Sequence, residues 1–267
     1  MDRAIEAGAV RLVAQEAGRG IPLVGLHGLT ATRRYVLMGS RALERNGHDV
    51  VLYDARGHGA SSPPPDGDYS YAALAADLEH VLDAYGLARP ILVGVSMGAH
   101  TAVRFALERP ERVAGLVLVT PGYDPAAAGA RLDHWDALSD GLRAGGIDGF
   151  LAAYDFSQMP QAWRATVETV IRQRLALHAD LAAVADALAA VPRSRPFERF
   201  DELGVIAVPA LVVASRDEAD PEHPLATAQA WASALGNAEL IVEDEGRPPI
   251  AWQGGQLSAA IAGLSSP

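Results

Sequence analysis

Two glycines bracket a serine in Gly94-Val95-Ser96-Met97-Gly98, directly after the apolar run Ile91–Val93 and just before Ala99, Ala102, Val103, Phe105, Ala106 and Leu107. A β-rich run that passes into helix-forming residues through so short a link must turn sharply, and only residues without bulk fit on either side. The Ser96 hydroxyl is thereby thrust outward at the start of a helix, where unpaired N–H groups and the positive dipole end favour an oxyanion. Acyl transfer needs that arrangement. A Gly/Ser turn between any strand and helix would look the same in isolation, so the rest of the chain must supply a base and an acid to orient it.

Composition narrows what else could do chemistry. The 267 residues include no cysteine and no lysine, which excludes thiol nucleophiles, disulfides, Cys-ligated metal centres and Schiff-base enzymes. Histidines and carboxylates show no metal spacing, and no Gly-x-Gly-x-x-Gly opens a helix, so no metal and no cofactor is expected. Two histidines are candidates for the base. His223 stands in Asp220-Pro221-Glu222-His223-Pro224 at a helix start, with Asp217 or Asp220 as the orienting carboxylate; its plainer reading is a solvent-facing or locally bonded histidine. His100, one turn into the elbow helix, is the other, and the plainer reading makes it a polar residue lining an interface. Arg33 and Arg34 oppose the dipole of the helix they begin and so hint at an anionic substrate group, against the simpler reading of a solvated helix end.

The formal net charge of −11 repels phosphate backbones and anionic lipid, so nucleic acid and membrane are not expected partners, and a small-molecule acyl substrate is. No run reaches the length of a membrane span, and Met1-Asp2-Arg3-Ala4 lacks the charged-then-apolar pattern of a leader, so a cytoplasmic location is expected. Oligomeric state is not legible.

The elements that must hold the serine follow from periodicity. Val10–Gln15, Ile21–Leu26, Asp49–Tyr53, Ile91–Val95, Val113–Val119, Val208–Ala214 and Ala238–Val242 read as strands. Helices are expected over about Thr32–Arg45, Tyr69–Tyr85, the elbow helix to Glu108, Pro224–Leu235 and Gln256–Leu264. Strands alternating with helices at this spacing predict an α/β fold, a mostly parallel sheet covered on both faces, with the site at the carboxyl ends of its strands. Between Tyr123 and Gly204 the β-runs cease and helical stretches replace them: Leu132–Arg143, Asp148–Tyr154, Gln161–His178 and Leu181–Ala190. The expected organisation is a core of residues 1–122 and 205–267 with a helical lid insertion, 123–204, over the sheet's edge. Trp135, Tyr154, Phe156 and Trp163 in that insertion, with Met97 and Met159, could line an apolar pocket or form ordinary core.

Four ordered features make the chain resemble the α/β-hydrolase superfamily over nearly its whole length. They are His27-Gly28 after an early strand, Asp54-x-Arg56-Gly57-x-Gly59-x-Ser61 after the next, Gly94-x-Ser96-x-Gly98 at the elbow, and Arg216-Asp217 with Pro221 after a late strand. The resemblance implies an α/β-hydrolase fold with Ser96 as nucleophile, Asp217 as triad acid, and the backbone N–H groups of Met97 and Leu29 as oxyanion donors. It also implies that His27 and His58 belong to structural loops. One departure stands out: the loop after the last strand, where the family carries its histidine, reads Glu245-Gly246-Arg247-Pro248-Pro249, and no histidine follows His223. Arginine cannot serve as a base near neutral pH, so Arg247 would pair with Asp217 or contact substrate, and a displaced histidine, His223 first, must take the proton.

The resulting expectation is a cofactor-independent serine hydrolase acting on a small, mostly apolar ester, thioester or lactone through a Ser96 acyl-enzyme. Ser96, Asp217 and His223 would be catalytic, Met97 and Leu29 the oxyanion donors, and His100, Arg247, Trp135 and Trp163 substrate contacts. The alternative is a non-hydrolytic lyase, cyclase or isomerase, or an inactive ligand-binding protein, motivated by Arg247 in the histidine slot.

Overall fold

The computed structural model describes residues 2–157, 159–216 and 220–264. Its framework is an eight-stranded sheet: β1 (Asp2–Ala7), β2 (Val10–Gly18), β3 (Ile21–Leu26), β4 (His48–Asp54), β5 (Ile91–Val95), β6 (Gly115–Val119), β7 (Ala210–Ala214) and β8 (Ala238–Val242), in the order β1-β2-β4-β3-β5-β6-β7-β8. The β1–β2 and β2–β4 pairs are antiparallel and the remaining five parallel, so β5 sits inside the sheet between β3 and β6.

Alternation along the strands divides their side chains between two cores. Val24, Leu26, Leu92, Leu116, Leu118 and Val212 point to one face, where α2 (Tyr71–Ala84), α3 (Met97–Glu108) and α7 (Leu225–Ala234) cover them. Leu23, Val93, Val117, Val119, Leu211 and Val213 point to the other, under the short helix α1 (Ala42–Arg45) and α8 (Gly254–Leu264), which contributes Leu257 and Ile261. Because both faces are covered, the central strands read as unbroken apolar runs. Helix α2 begins where Ser70 accepts a hydrogen bond from Ala73 N–H, and its Leu74, Leu78, Val81 and Leu82 lie inward at helical spacing.

Between β6 and β7 lie α4 (Leu132–Ala153), α5 (Gln161–Leu175) and α6 (Leu181–Ala190), which bury a core of their own from Leu138, Leu142, Phe150, Ile171, Leu175, Val184 and Leu188. The two helical stretches expected over 132–154 are one element broken at Gly146, whose φ of 58° and ψ of −141° interrupt the helix.

Two expectations fail locally. The single helix over Thr32–Arg45 is instead a short 3-10 turn at Arg33–Tyr35 followed by α1, because Met38 and Gly39 take positive φ values of 48° and 76° that end any helix there. Strand β1 was not signalled: only Ile5 and Ala7 of its six residues are buried, and its charged residues face out from the sheet's edge.

Candidate active site

Ser96 links β5 directly to α3, and the link is as cramped as the sequence implied. A Cβ on Gly94 would strike the backbone of Gly98 and Ala99, and one on Gly98 would strike the Leu26 carbonyl of the neighbouring strand. Ser96 itself has φ 49° and ψ −113°, a conformation that costs a non-glycine residue on the order of 1–3 kcal/mol and persists only where its surroundings enforce it. Its N–H donates to Val119 O at 2.9 Å, and its carbonyl accepts from Ala99 N and His100 N at 2.8 and 3.1 Å. The residue remains partly exposed at the carboxyl edge of the sheet.

His223 meets that hydroxyl. Its Nε2 lies 2.8 Å from Ser96 Oγ, and its Nδ1 lies 2.9 Å from both Oδ1 and Oδ2 of Asp220. An ionised carboxylate can only accept, so Nδ1 carries the proton and donates to Asp220, while the Nε2 lone pair accepts from Ser96 Oγ–H. Acid and base stand three residues apart on the loop after β7, which is closed by His223 N–H donating to Asp220 O at 3.2 Å. The ring passes over Gly122 so closely that a Cβ there would lie 3.0 Å from His223 Cδ2. Burial pulls the His223 pKa down, but the charge and hydrogen bond of Asp220, aided by Glu222, outweigh it and leave the group above its ordinary value. Glu222 is bound in turn by Arg131, just before α4, at 2.8 and 3.0 Å, which fastens this loop to the helical segment.

The loop after β3 faces Ser96 from the other side. Gly28 admits the serine: a Cβ there would lie 3.4 Å from Ser96 Cβ. His27 pins this loop, its Nε2 accepting from Ala55 N–H at 2.9 Å and its Nδ1–H donating to Gly28 O at 2.8 Å. Burial holds His27 neutral, with its pKa lowered to about 3. Among the described residues neither Leu29 N–H nor Met97 N–H donates a hydrogen bond within the protein, which leaves both free for another acceptor.

Some expected site residues sit elsewhere. His100 is not a substrate contact: its Nε2 accepts from Gly122 N–H and Tyr123 N–H at 3.1 Å each, and its Nδ1–H donates to Tyr71 Oη at 2.8 Å. With both ring nitrogens used and burial lowering its pKa to about 3, it is a neutral bracket under the loop after β6. Arg33 is likewise committed, to Asp54 and Asp2, so it is not a free cation for an anion. Arg247 lies on an exposed turn where its N–H donates to Asp244 O at 3.1 Å, and its side chain pairs with no carboxylate among the described residues. Asp217 lies outside the described residues. Trp135 packs on the core of the α4–α6 segment, and Trp163 stacks edge-on to Trp252 with centroids 5.8 Å apart.

Sequence reasoning passed over Arg174 and His178. From α5 and the turn after it they reach the loop after β3, Arg174 Nη2 donating to Thr30 Oγ1 at 3.1 Å and His178 Nε2–H donating to Thr30 O at 3.0 Å. A lone Arg or His in a helical stretch carries no signal that would have found them.

Residues 21–148 match the family model described as the alpha/beta hydrolase fold. "Putative carbamate hydrolase RutD" of Pseudomonas savastanoi pv. phaseolicola is 31% identical over 238 residues, covering 84% of this chain and 85% of that protein. The chain belongs to the α/β-hydrolase fold family. A protein of the same name from Variovorax paradoxus is 36% identical over 183 residues, covering 67% of this chain and 66% of its own, so the chain spans slightly under two thirds of that relative's length. An esterase from Thermogutta terrifontis shares the fold at a TM-score of 0.79 and 24% identity, over 99% of this chain and 98% of that one. Among the described residues of this α/β-hydrolase, no helix is long and apolar enough to cross a membrane.

Proposed function

We propose that the protein is a cofactor-independent serine hydrolase of small acyl compounds (esters, thioesters, lactones or carbamates), working in the cytoplasm through a Ser96 acyl-enzyme. The observation that carries this reading is the 2.8 Å contact between His223 Nε2 and Ser96 Oγ, backed by Asp220 on Nδ1. Ser96 Oγ forms a bond to the acyl carbon while its proton passes to His223 Nε2. His223 returns that proton to the leaving oxygen, sulfur or nitrogen as the bond to it breaks. Water, deprotonated by the same imidazole, then cleaves the acyl-enzyme and restores Ser96. Leu29 N–H and Met97 N–H stabilise the oxyanion in both halves.

Asp220 supplies the orienting carboxylate in this mechanism, in place of Asp217. The helical segment 123–204 acts as a lid over the core formed by 1–122 and 205–267. The carbamate option comes from the names of the two relatives. The non-hydrolytic alternative was motivated by Arg247 in the usual histidine slot; a histidine within hydrogen-bond reach of Ser96 supports the hydrolytic reading over it.

A fluorophosphonate probe tests the proposal. Wild type takes up one phosphonyl group at Ser96 and cleaves short acyl esters, and Ser96→Ala does neither; an unlabelled, inactive wild type would refute the reading.

A further inference from the structure

Arg174 holds a charge that the described protein does not answer. Its guanidinium is mostly buried, yet its one hydrogen bond among the described residues goes to a neutral hydroxyl, Thr30 Oγ1. Its Nε–H is buried with no acceptor among the described residues. Asp220 lies near enough for its charge to be felt but outside pairing distance, and both its oxygens already face His223. Among the described residues, Tyr154 and Tyr35 are the other acidic groups that feel its charge, and neither is anionic near neutral pH; His178 and His223 also lie near it. By contrast, Arg33 and Arg56, the more deeply buried arginines, each find a carboxylate. A desolvated cation with idle donors is costly unless an anion arrives to use them.

Its position says which anion. Thr30 follows Leu29, so the guanidinium is fastened to the same loop after β3 whose Gly28 lies against Ser96 and whose Leu29 N–H has no acceptor among the described residues. We infer that Arg174 binds a carboxylate carried by the acyl portion of the substrate, so that the enzyme acts on monoesters and related monoacyl derivatives of dicarboxylic acids. This rests on the hydrolytic reading for its chemistry but not for the binding itself. Guanidinium suits the task because its planar donors meet a carboxylate two at a time.

Two measurements test the inference and separate it from the hydrolytic reading. The first compares kcat/KM for mono-p-nitrophenyl adipate and p-nitrophenyl hexanoate, which differ by a terminal carboxylate. Arg174→Gln lowers the adipate-to-hexanoate ratio about tenfold to a hundredfold, as expected for loss of a charge-assisted contact, and Arg174→Lys restores part of it. An unchanged ratio overturns the inference. The second is calorimetric titration of adipate into Ser96→Ala, where chemistry is removed. Adipate binds and neutral hexanamide binds more weakly, and adding Arg174→Gln abolishes the difference. Equal binding of the two ligands to Ser96→Ala, or no adipate binding, overturns the inference even if Arg174→Gln fails to fold. If neither ester is cleaved and Ser96 stays unlabelled, the hydrolytic reading fails while the titration still decides the anion site.

Discussion

His223, the base in the proposed mechanism, is held under opposing influences, and its titration should be visible in the kinetics. Burial lowers its pKa, Asp220 and Glu222 raise it further than burial lowers it, and Arg174 opposes them weakly, so the net direction is upward from 6.5. Only the unprotonated imidazole can accept the Ser96 proton. Thus kcat/KM falls as pH drops through the raised pKa and levels off above it. Asp220→Asn removes the carboxylate's charge, so the acid limb moves to lower pH while kcat drops about a hundredfold to ten-thousandfold. Rate profiles of the two proteins on one ester check this, and a limb that stays in place would show that Asp220 is not the orienting acid. The sequence pointed to Ser96 and His223 and took Asp217 as the acid, with Asp220 as the other candidate to orient the histidine. Both carboxylates follow the same strand; Asp217 lies outside the described residues, and the turn that brings Asp220 O onto His223 N–H sets Asp220 against Nδ1.

At the scale of elements, the strand-to-helix turn is set by interatomic room. Gly98 lies against the Leu26 carbonyl, in the backbone of a hydrogen-bonded strand that cannot swing aside as a side chain could. Gly98→Ala should therefore destabilise the fold by about 3 kcal/mol, the upper end of ordinary overpacking penalties. The midpoint of urea unfolding measures it, and a loss under about 1 kcal/mol would mean that the turn has slack. This element was readable because its constraint is local and repeats in residue type: apolar strand, glycine, serine, glycine, helix. The stretch Thr32–Arg45 was misread for the opposite reason. Its composition suits a helix, while tertiary fixation of Arg33 by Asp54 and the left-handed Met38-Gly39 pair impose a turn that no propensity announces. Arg174 and His178 were illegible on the same ground, since their partner Thr30 lies more than 140 residues away in the chain.

Across the whole molecule, several imidazoles are kept neutral by burial at the junctions between loops. His27, His58, His100 and His178 all have lowered pKa values, with burial as the leading cause in each. In the unfolded chain each would take up a proton near its ordinary pKa, so below that point the unfolded state binds more protons and stability falls as pH falls. The loss begins near pH 6.5 and grows by about 1.4 kcal/mol per pH unit for each histidine still neutral in the fold, continuing toward about 3 for His27 and His100. Denaturant unfolding at about pH 7 and about pH 5 should show this loss directly, and equal stability at the two would contradict it. The same junctions tie the α4–α6 segment to the sheet's edge, His178 through Thr30 and Gly59, Arg131 through Glu222, so the segment and the loop carrying His223 are held as one assembly.

The central claim is that His223, displaced from the family's usual slot, activates Ser96. The rate at which a fluorophosphonate modifies Ser96 in His223→Gln, set beside wild type and followed by intact mass, tests it most directly. Modification slowed about a hundredfold or more is the expected result. Modification at the wild-type rate would mean that another group drives the serine.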